Sequence, residues 1–400
     1  MIDCKVVLKV KITYLCGTLT NKKRKILKIK MLESTTLAIK EQEKTVALFD
    51  TLAQMGYEQI VFCNDSQSGL KAIIAVHSSI LGPALGGVRM WNYATEQEAL
   101  NDVLRLSRSM TFKNAIAGLN LGGGKAVIIG NPRKDKSEAL LRIYGKFVKN
   151  LNGKYLTAED VGMTEKDMEY ISMETKYVTG LPHYLGGSGA PAPMTAYGTY
   201  MGMKAAAKKV YGSESLAGKR IAVQGVGHVG EVLVDYLTKE GSKVFITDIY
   251  EDRIKAVASK YKVEVVDKEA IYDLDVDIYS PCALGATVND ETLDRLKCTI
   301  IAGCANNQLK DEKIHGEECL KRGIVYAPDF LINAGGVINI ATEVNGSYNQ
   351  AWAKAQTETI YEKTLEVLNV SLSQGRNAQE VAMEMALKRI NEIGRIKAMY

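Results

Sequence analysis

Disulfide spacing is missing from this 400-residue chain: its seven cysteines are odd in number and include no C-x-x-C pair. A disulfide-stapled secreted scaffold is therefore excluded, and a reducing, cytoplasmic setting is expected. No uninterrupted apolar run approaches the roughly 20 residues that a membrane helix needs, so no membrane partner is expected. Proline is scarce at 7 residues and histidine at 4, the latter scattered without ligand spacing, so no metal is expected. Acidic charge is nearly missing from residues 1–30, where nine lysines and arginines face the single acid Asp3, leaving residues 31–400 at about −3. The overall +5 is thus local, and a general nucleic-acid surface is not expected. Lysines interrupt the apolar stretch of that basic start and no small-residue cleavage site follows, which disfavours a signal peptide. Residues 1–30 are expected to be an extension outside the fold, with Met31 a candidate authentic start.

What is present reads as an α/β protein. A helical pattern containing Val46, Leu48, Phe49 and Leu52 runs from Met31 to Gly56. Two strand-like runs follow, 59–63 and 71–77, separated by a polar turn. Thr95 and Glu98 form a capping-box signature opening a helix through Met110. LNLGGGKAVIIG (119–130) reads as a glycine loop leading into a buried strand, then a helix over 135–151, a strand at 155–157 and a helix start at Thr164. LPHYLGGSGAPAP (181–193) is the Gly/Pro-rich stretch expected to be a linker, followed by a helix from Thr195 to about Val210. Short apolar strands then alternate with helices at 220–224, 243–247, 263–266, 276–279, 299–302 and 324–326. Such a pattern predicts a parallel sheet covered on both faces. From Ala351 the chain reads as helix to its end.

Two constellations carry chemistry. The strand KRIAVQ runs directly into Gly225-Val226-Gly227-His228-Val229-Gly230, then a helix, then a strand ending at Asp248. Gly225 suits a tight turn, Gly227 suits backbone approach to a pyrophosphate, and Gly230 suits close helix–strand packing. A helix N-terminus behind them presents free N–H groups to phosphate. Asp248 is spaced to accept hydrogen bonds from an adenosine ribose and would repel a 2′-phosphate, so NAD is expected. His228 is expected to be a solvated position within the motif.

The second constellation is Lys113, Lys125 and Asp160. A lysine desolvated beside another cation loses basicity and can serve as a general base near neutral pH. Lys125 follows three glycines expected to let the backbone fold closely around its ammonium. Lys113 could pair with a substrate carboxylate, and Asp160 could exchange protons with an amine or water. A glycine-flanked lysine also resembles a nucleotide phosphate loop, but G-x-x-x-x-G-K-[ST] fails here: Ala126 follows the lysine and Leu119 occupies the first glycine position.

With those residues in place, the chain from about Gly56 to Gly346 resembles the Glu/Leu/Phe/Val amino-acid dehydrogenase family, its leucine-oxidising members above all. SGLKAIIAVH, LGPALGGVRMW, LGGGKAVIIG, TAEDVG, PMTAYG, AVQGVG, SPCALGATVND, AGCANNQL and YAPDFLINAGGVIN carry the likeness. The resemblance implies an N-terminal α/β substrate domain (31–180, joined by a C-terminal helix at about 376–400). It also implies a C-terminal doubly wound Rossmann NAD-binding domain (181–375), with a cleft between the two. It implies reversible oxidative deamination of branched-chain amino acids to 2-oxo acids and ammonium, by a homo-oligomer that is octameric among relatives.

By position in their motifs, Lys125 resembles the catalytic lysine, Lys113 the carboxylate binder and Asp160 the proton relay. Asn333 matches the cleft asparagine, Thr195 a nicotinamide-amide contact, Asn306 a cofactor-side asparagine and Ala283 a residue lining the cofactor cleft. Leu85 and Ile340 stand where glutamate-specific relatives place lysine and serine, with Ala158 and Val337 completing an apolar pocket wall. A phenylalanine- or valine-preferring enzyme and a non-catalytic NAD-binding sensor are the competing expectations.

Overall fold

The computed structural model describes residues 48–283 and 285–398. The chain divides into residues 1–56 and 57–400. In the first unit the described residues form one helix, Leu48–Met55, within the helical stretch expected there. The basic extension 1–30 and the helical pattern before Leu48 lie outside the described residues.

The second unit is built on two sheets. The first contains β1 (Gln59–Asp65), β2 (Leu70–Ser78), β3 (Ala84–Leu85), β4 (Val88–Trp91), β5 (Gly122–Ile129) and β6 (Tyr155–Leu156). Its order is β1-β2-β5-β3-β6, with β4 also paired to β5. β1–β2 and β2–β5 are antiparallel, and the remaining pairs are parallel. β2 and β5 are buried along almost their whole length because helix Glu96–Ile116 covers one face and helices Glu138–Asn150 and Glu165–Ser172 pack against the other. Helix Glu96–Ile116 packs across this sheet and buries Leu100, Val103, Leu104, Leu106 and Phe112.

The GGG of residues 122–124 departs from the sequence expectation. These glycines are strand, not loop, and they do not wrap an ammonium. A Cβ on Gly124 would lie 2.7 Å from the Tyr155 ring, and one on Gly123 would collide with Thr111 of the Glu96–Ile116 helix. The glycines thin the strand so that a helix and β6 can approach it. The capping box at Thr95 is also only half formed. Thr95 accepts the Glu98 N–H at 3.1 Å, but the Glu98 carboxylate turns outward to the Ala94 N–H. A complete box appears instead at Thr164 and Asp167, opening helix Glu165–Ser172.

The second sheet contains β7 (Arg220–Gln224), β8 (Lys243–Thr247), β9 (Val263–Val265), β10 (Ile278–Pro281), β11 (Ile300–Ile301) and β12 (Val325–Tyr326). Its order is β12-β11-β10-β7-β8-β9 and every pairing is parallel. Chain order reverses between β7 and β10, so a crevice opens at their carboxyl ends, where open α/β sheets bind ligands. Helix Ala192–Tyr211, which starts earlier than expected with Pro193 in its first turn, and helix His228–Lys239 cover this sheet.

The C-terminal helical stretch is two helices, Gln350–Gln374 and Ala378–Ala398, because Gly375 adopts φ +62° and closes the first. The second returns to the first sheet. Arg389 donates to the Leu119 carbonyl at 2.7 Å and Lys397 to the Leu81 carbonyl at 2.7 Å. One apolar cluster runs from Leu85, Leu156 and Ala158 through Val337 and Ile340 to Ile221, Val223 and Ile278. Among the described residues, no helix is long and apolar enough to cross a membrane.

Candidate active site

Gly225 ends β7 at φ +103°, a conformation open to glycine but costly for other residues. A Cβ there would lie 2.7 Å from the Ala283 Cβ, so Ala283 closes one wall of the turn. A Cβ on Gly230 would collide with the Gly225 carbonyl, which fixes how closely helix His228–Lys239 can approach β7. At Gly227 a Cβ would meet only Arg253, at 3.5 Å. That face is open. Gly227 is the N-cap and brings no side chain to the first-turn N–H groups, which face outward with the helix dipole behind them. Val226 is buried against the core, Val229 is half-buried and His228 is exposed. Asp248 ends β8 and is tied to the turn: Oδ2 accepts the Val226 N–H at 2.9 Å and Oδ1 the Tyr250 N–H at 3.0 Å. This bare, donor-rich turn with a carboxylate beside it fits the pyrophosphate and ribose of a dinucleotide.

The lysine site lies among the first sheet, helix Glu96–Ile116 and the segment after β11. Lys125 is 5% exposed and Lys113 is 7% exposed. Lys125 sits in β5 opposite Ala75, and its Nζ lies 3.2 Å from Asp160 Oδ1. Burial pushes the Lys125 ammonium below the usual lysine range, Asp160 opposes this, and Arg89 adds to it. Burial also pushes Lys113 down, to about 8, assisted by the charge of Lys125 and opposed by Asp329 and Asp160. Burial alone would raise the Asp160 carboxyl, but Lys125 and Arg89 together hold it well below the usual range. At neutral pH the site therefore contains a fixed carboxylate beside a lysine made easy to deprotonate.

Lys113 reaches across to the second half of the chain. Its Nζ donates to Asn306 Oδ1 at 2.8 Å, and Asn333 Nδ2 donates to the same oxygen at 2.8 Å. Asn306 therefore stands beside the lysine site, bridging Lys113 and Asn333. Asn333 is 4% exposed, and its Oδ1 is buried with no hydrogen-bond donor among the described residues. A buried acceptor left open in this way is suited to a ligand donor such as an α-amino group. Thr195 lies in the first turn of helix Ala192–Tyr211, its Oγ1 donating to the Pro191 carbonyl at 2.9 Å and packed against Gly336.

Leu85, Ala158, Val337 and Ile340 are all buried in one apolar cluster. Leu85 pairs with Leu156 across β3 and β6, two residues from Ala158, while Val337 and Ile340 share a face of helix Gly335–Ala341. Gly180 abuts Ile340. The stretch between Gly180 and Ser188 is drawn together by Glu343, whose carboxylate accepts the N–H groups of Gly180 (3.0 Å), Leu181 (3.4 Å) and Ser188 (2.8 Å) and the Ser188 hydroxyl.

The sequence reading missed Arg89, Asp102, Asp329 and Glu343. Arg89 Nε donates to Asp160 Oδ2 at 2.9 Å, and its Nη1 to Asp102 Oδ2 at 3.0 Å. Asp329 is buried and accepts the Gln308 N–H (2.9 Å) and the Phe330 N–H (2.6 Å); burial raises its carboxyl and Lys113 opposes the rise. The available signal was a charge inside an apolar run, VRMW for Arg89 and APDFLI for Asp329, since unpaired charges are rarely buried. No group of three or more metal-ligating side chains occurs among the described residues.

Two family models cover nearly all of the second unit. One, Glu/Leu/Phe/Val dehydrogenase, dimerisation domain, matches residues 57–177. The other, Glutamate/Leucine/Phenylalanine/Valine dehydrogenase, matches 186–250 and 245–396. The chain belongs to the Glu/Leu/Phe/Val dehydrogenase family. A leucine dehydrogenase of Thermoactinomyces intermedius is 53% identical over 353 residues, 88% of this chain and 96% of the relative. A phenylalanine dehydrogenase of the same organism is 44% identical over 355 residues, 87% and 96% of the two chains. Among solved structures, L-tryptophan dehydrogenase from Nostoc punctiforme superposes with a TM-score of 0.72 at 43% identity, covering 87% of this chain and 99% of that one. This dehydrogenase has the two-domain α/β fold of its family, and its two sheets are the ones just described.

Proposed function

We propose that this dehydrogenase catalyses the reversible, NAD-dependent oxidative deamination of branched-chain L-amino acids, leucine with isoleucine and valine, to 2-oxo acids and ammonium. The observation that carries the proposal is the buried Lys125–Asp160 pair beside Lys113 and Asn333, in a molecule that buries Leu85, Ala158, Val337 and Ile340 in one apolar cluster. The 53% identity to a leucine dehydrogenase, above the 44% to a phenylalanine dehydrogenase, supports the branched-chain assignment.

In this reading Lys113 binds the substrate α-carboxylate, exchanging Asn306 for a charged acceptor, and the open Asn333 Oδ1 accepts from the α-amino group. NAD⁺, when bound, would supply the acceptor for the α-hydride, and the residues of this chain then act on the resulting imino acid. Neutral Lys125 then takes a proton from water as the water oxygen bonds to the imino carbon. Asp160 relays that proton from Lys125 to the nitrogen of the carbinolamine. The C–N bond breaks as Lys125, neutral again, takes the hydroxyl proton, and the 2-oxo acid and ammonia separate, the ammonia leaving as ammonium. The Gly225–Gly230 turn, with Ala283 as one wall, would hold the pyrophosphate, Asp248 the adenosine ribose and Thr195 the nicotinamide amide. We assign residues 31–180 with the helix from about 376 as the substrate domain and 181–375 as the NAD-binding domain. We assign a homo-oligomer, as the dimerisation-domain match to residues 57–177 suggests. The five free cysteines among the described residues suit a reducing cytoplasm.

A substrate panel followed by NADH absorbance tests the proposal. Burying a γ-carboxylate without a cation costs several kcal/mol, so leucine is expected to exceed glutamate by about 10³-fold or more in kcat/KM. Isoleucine and valine are expected within about 10–200-fold of leucine, the range one methylene commands in an apolar pocket. A larger rate with glutamate or phenylalanine than with leucine would overturn the pocket assignment, and a flat trace with every amino acid would leave only a dinucleotide-binding protein.

Asp248→Ala is expected to weaken NAD by about tenfold or more, since it removes an acceptor for the ribose and a bond to the Val226 N–H, about 1–2 kcal/mol. NADP should lose less, having no carboxylate to face. Titration of both nucleotides checks this, and an unchanged NAD-to-NADP ratio would remove Asp248 from cofactor choice.

A further inference from the structure

The two oxygens of Asp160 have different partners. Oδ1 faces the Lys125 Nζ at 3.2 Å, while Oδ2 accepts the Arg89 Nε at 2.9 Å. The guanidinium is itself held from behind: Asp102 Oδ2 accepts its Nη1 at 3.0 Å and also accepts the Tyr93 hydroxyl at 2.6 Å. Three separate elements meet here. Arg89 is on β4, Asp102 is on the helix that also carries Lys113, and Asp160 follows β6. The backbone is brought in close as well, since a Cβ on Gly87 would lie 3.0 Å from the Asp160 Cβ.

We propose that Arg89 is a positioning residue for the deamination, orienting Asp160 so that one oxygen is kept for Lys125, with Asp102 and Tyr93 locking the guanidinium. This rests on the catalytic reading of Lys125 and Asp160 given above. A planar fork suits the task, because its Nε and Nη1 can engage two carboxylates at a fixed angle, whereas an ammonium on a flexible stem cannot. Without the fork, the Asp160 carboxylate is free to turn about its Cβ–Cγ bond and offer Lys125 either oxygen, or to swing about Cα–Cβ and offer neither. Arg89 is more than a support, because its charge also acts on the base. Positive charge beside Lys125 favours the neutral amine that accepts the proton. The charged and titratable groups facing this pair are Arg89, Lys113, Asp102, Glu159, Tyr93 and Tyr155, with Asp329 acting on Lys113. Of the cations among these, Arg89 is the one bonded to Asp160.

Two variants and a pH profile test this. Arg89→Gln is expected to lower kcat for leucine by about 10²-fold, the cost of misplacing a reacting group by about 1 Å, with KM changing less than about threefold. The acidic limb of its kcat/KM profile should move to higher pH, because Lys125 holds its proton more firmly once Arg89's charge is gone. Arg89→Lys keeps the charge but not the fork, so its limb should stay at the wild-type position while kcat falls by about tenfold. NADH titration by fluorescence and a melting curve report whether each variant is folded. If Arg89→Gln does not fold, Arg89→Lys alone decides, through its kcat at an unmoved limb. Wild-type kcat in either folded variant, a limb that does not move in Arg89→Gln, or a KM that rises in step with the kcat loss overturns the proposal. A wild-type enzyme inactive on every amino acid would sink the underlying catalytic reading, whereas an active wild type with indifferent variants sinks only the role of Arg89.

Discussion

Lys125→Ala is expected to lower kcat by about 10⁴-fold, the upper range for losing a positioned general base, while the affinity for NADH stays within about twofold. The two parts of this result follow from different regions of the molecule. Lys125 is the middle of a buried strand and its Nζ points to Asp160, whereas the glycine turn that fits the dinucleotide ends a strand of the other sheet. Removing the ammonium also does not orphan Asp160, which keeps the Arg89 Nε at 2.9 Å. The loss should therefore be chemical and not a collapse of the fold. Stopped-flow measurement of NADH formation and a fluorescence titration of NADH check both parts. Turnover above a few per cent of wild type would take Lys125 out of its role.

Asp160→Asn should produce a second large loss, about 10²-fold in kcat, since an amide cannot relay a proton at this point. Its distinctive signature is a displacement along the pH axis. The Asp160 carboxylate favours the protonated form of Lys125. With that negative charge removed, Lys125 loses its proton at lower pH, so the acidic limb of kcat/KM moves down. Arg89→Gln moves the same limb up. Opposite displacements from two neighbours of one lysine are difficult to produce by general damage to the fold. The alkaline side has a separate origin. Lys113 must be charged to bind a carboxylate and is pushed down to about 8, so amino-acid binding to the free enzyme should weaken above that pH in wild type, and at lower pH still in Asp160→Asn, which loses a carboxylate that supports the charged form of Lys113. A profile for Asp160→Asn whose acidic limb stays in place would separate Asp160 from the control of Lys125.

Local pattern made much of the second sheet legible. Each short run became a strand within a residue or two; the inner strands β7, β8, β10 and β11 are largely buried and leave a continuous apolar signal, while β9 is an exposed edge, and the glycine turn has one workable geometry. Lys113, Lys125 and Asp160 were reachable from their flanking residues, and the structure places them within one cluster of charges. What local pattern could not supply was the meaning of contacts made at long range. Gly122–Gly124 looked like a loop because the space they leave is filled by Thr111 and Tyr155, neither a neighbour in sequence. Arg89 joins Asp102, thirteen residues on, to Asp160, 71 residues on, through contacts that only the folded sheet brings together. Asn306 was expected on the cofactor side of the cleft; its side-chain oxygen also accepts from Lys113 and Asn333, partners 193 and 27 residues away that its own motif does not reveal.

Glu343 gathers N–H groups from both ends of the 180–188 stretch, so that residues 182–187 leave and return at nearly one point. They form an excursion pinched at its neck, with Tyr184 and Leu185 turned out to solvent. Length changes inside a pinched excursion are absorbed locally at a small entropic cost. Insertions or deletions within residues 182–187 of this chain are therefore expected to leave the register of both sheets and the Lys113–Asn306 contact undisturbed. The same freedom does not extend to Gly180 or Ser188, where the neck itself is tied.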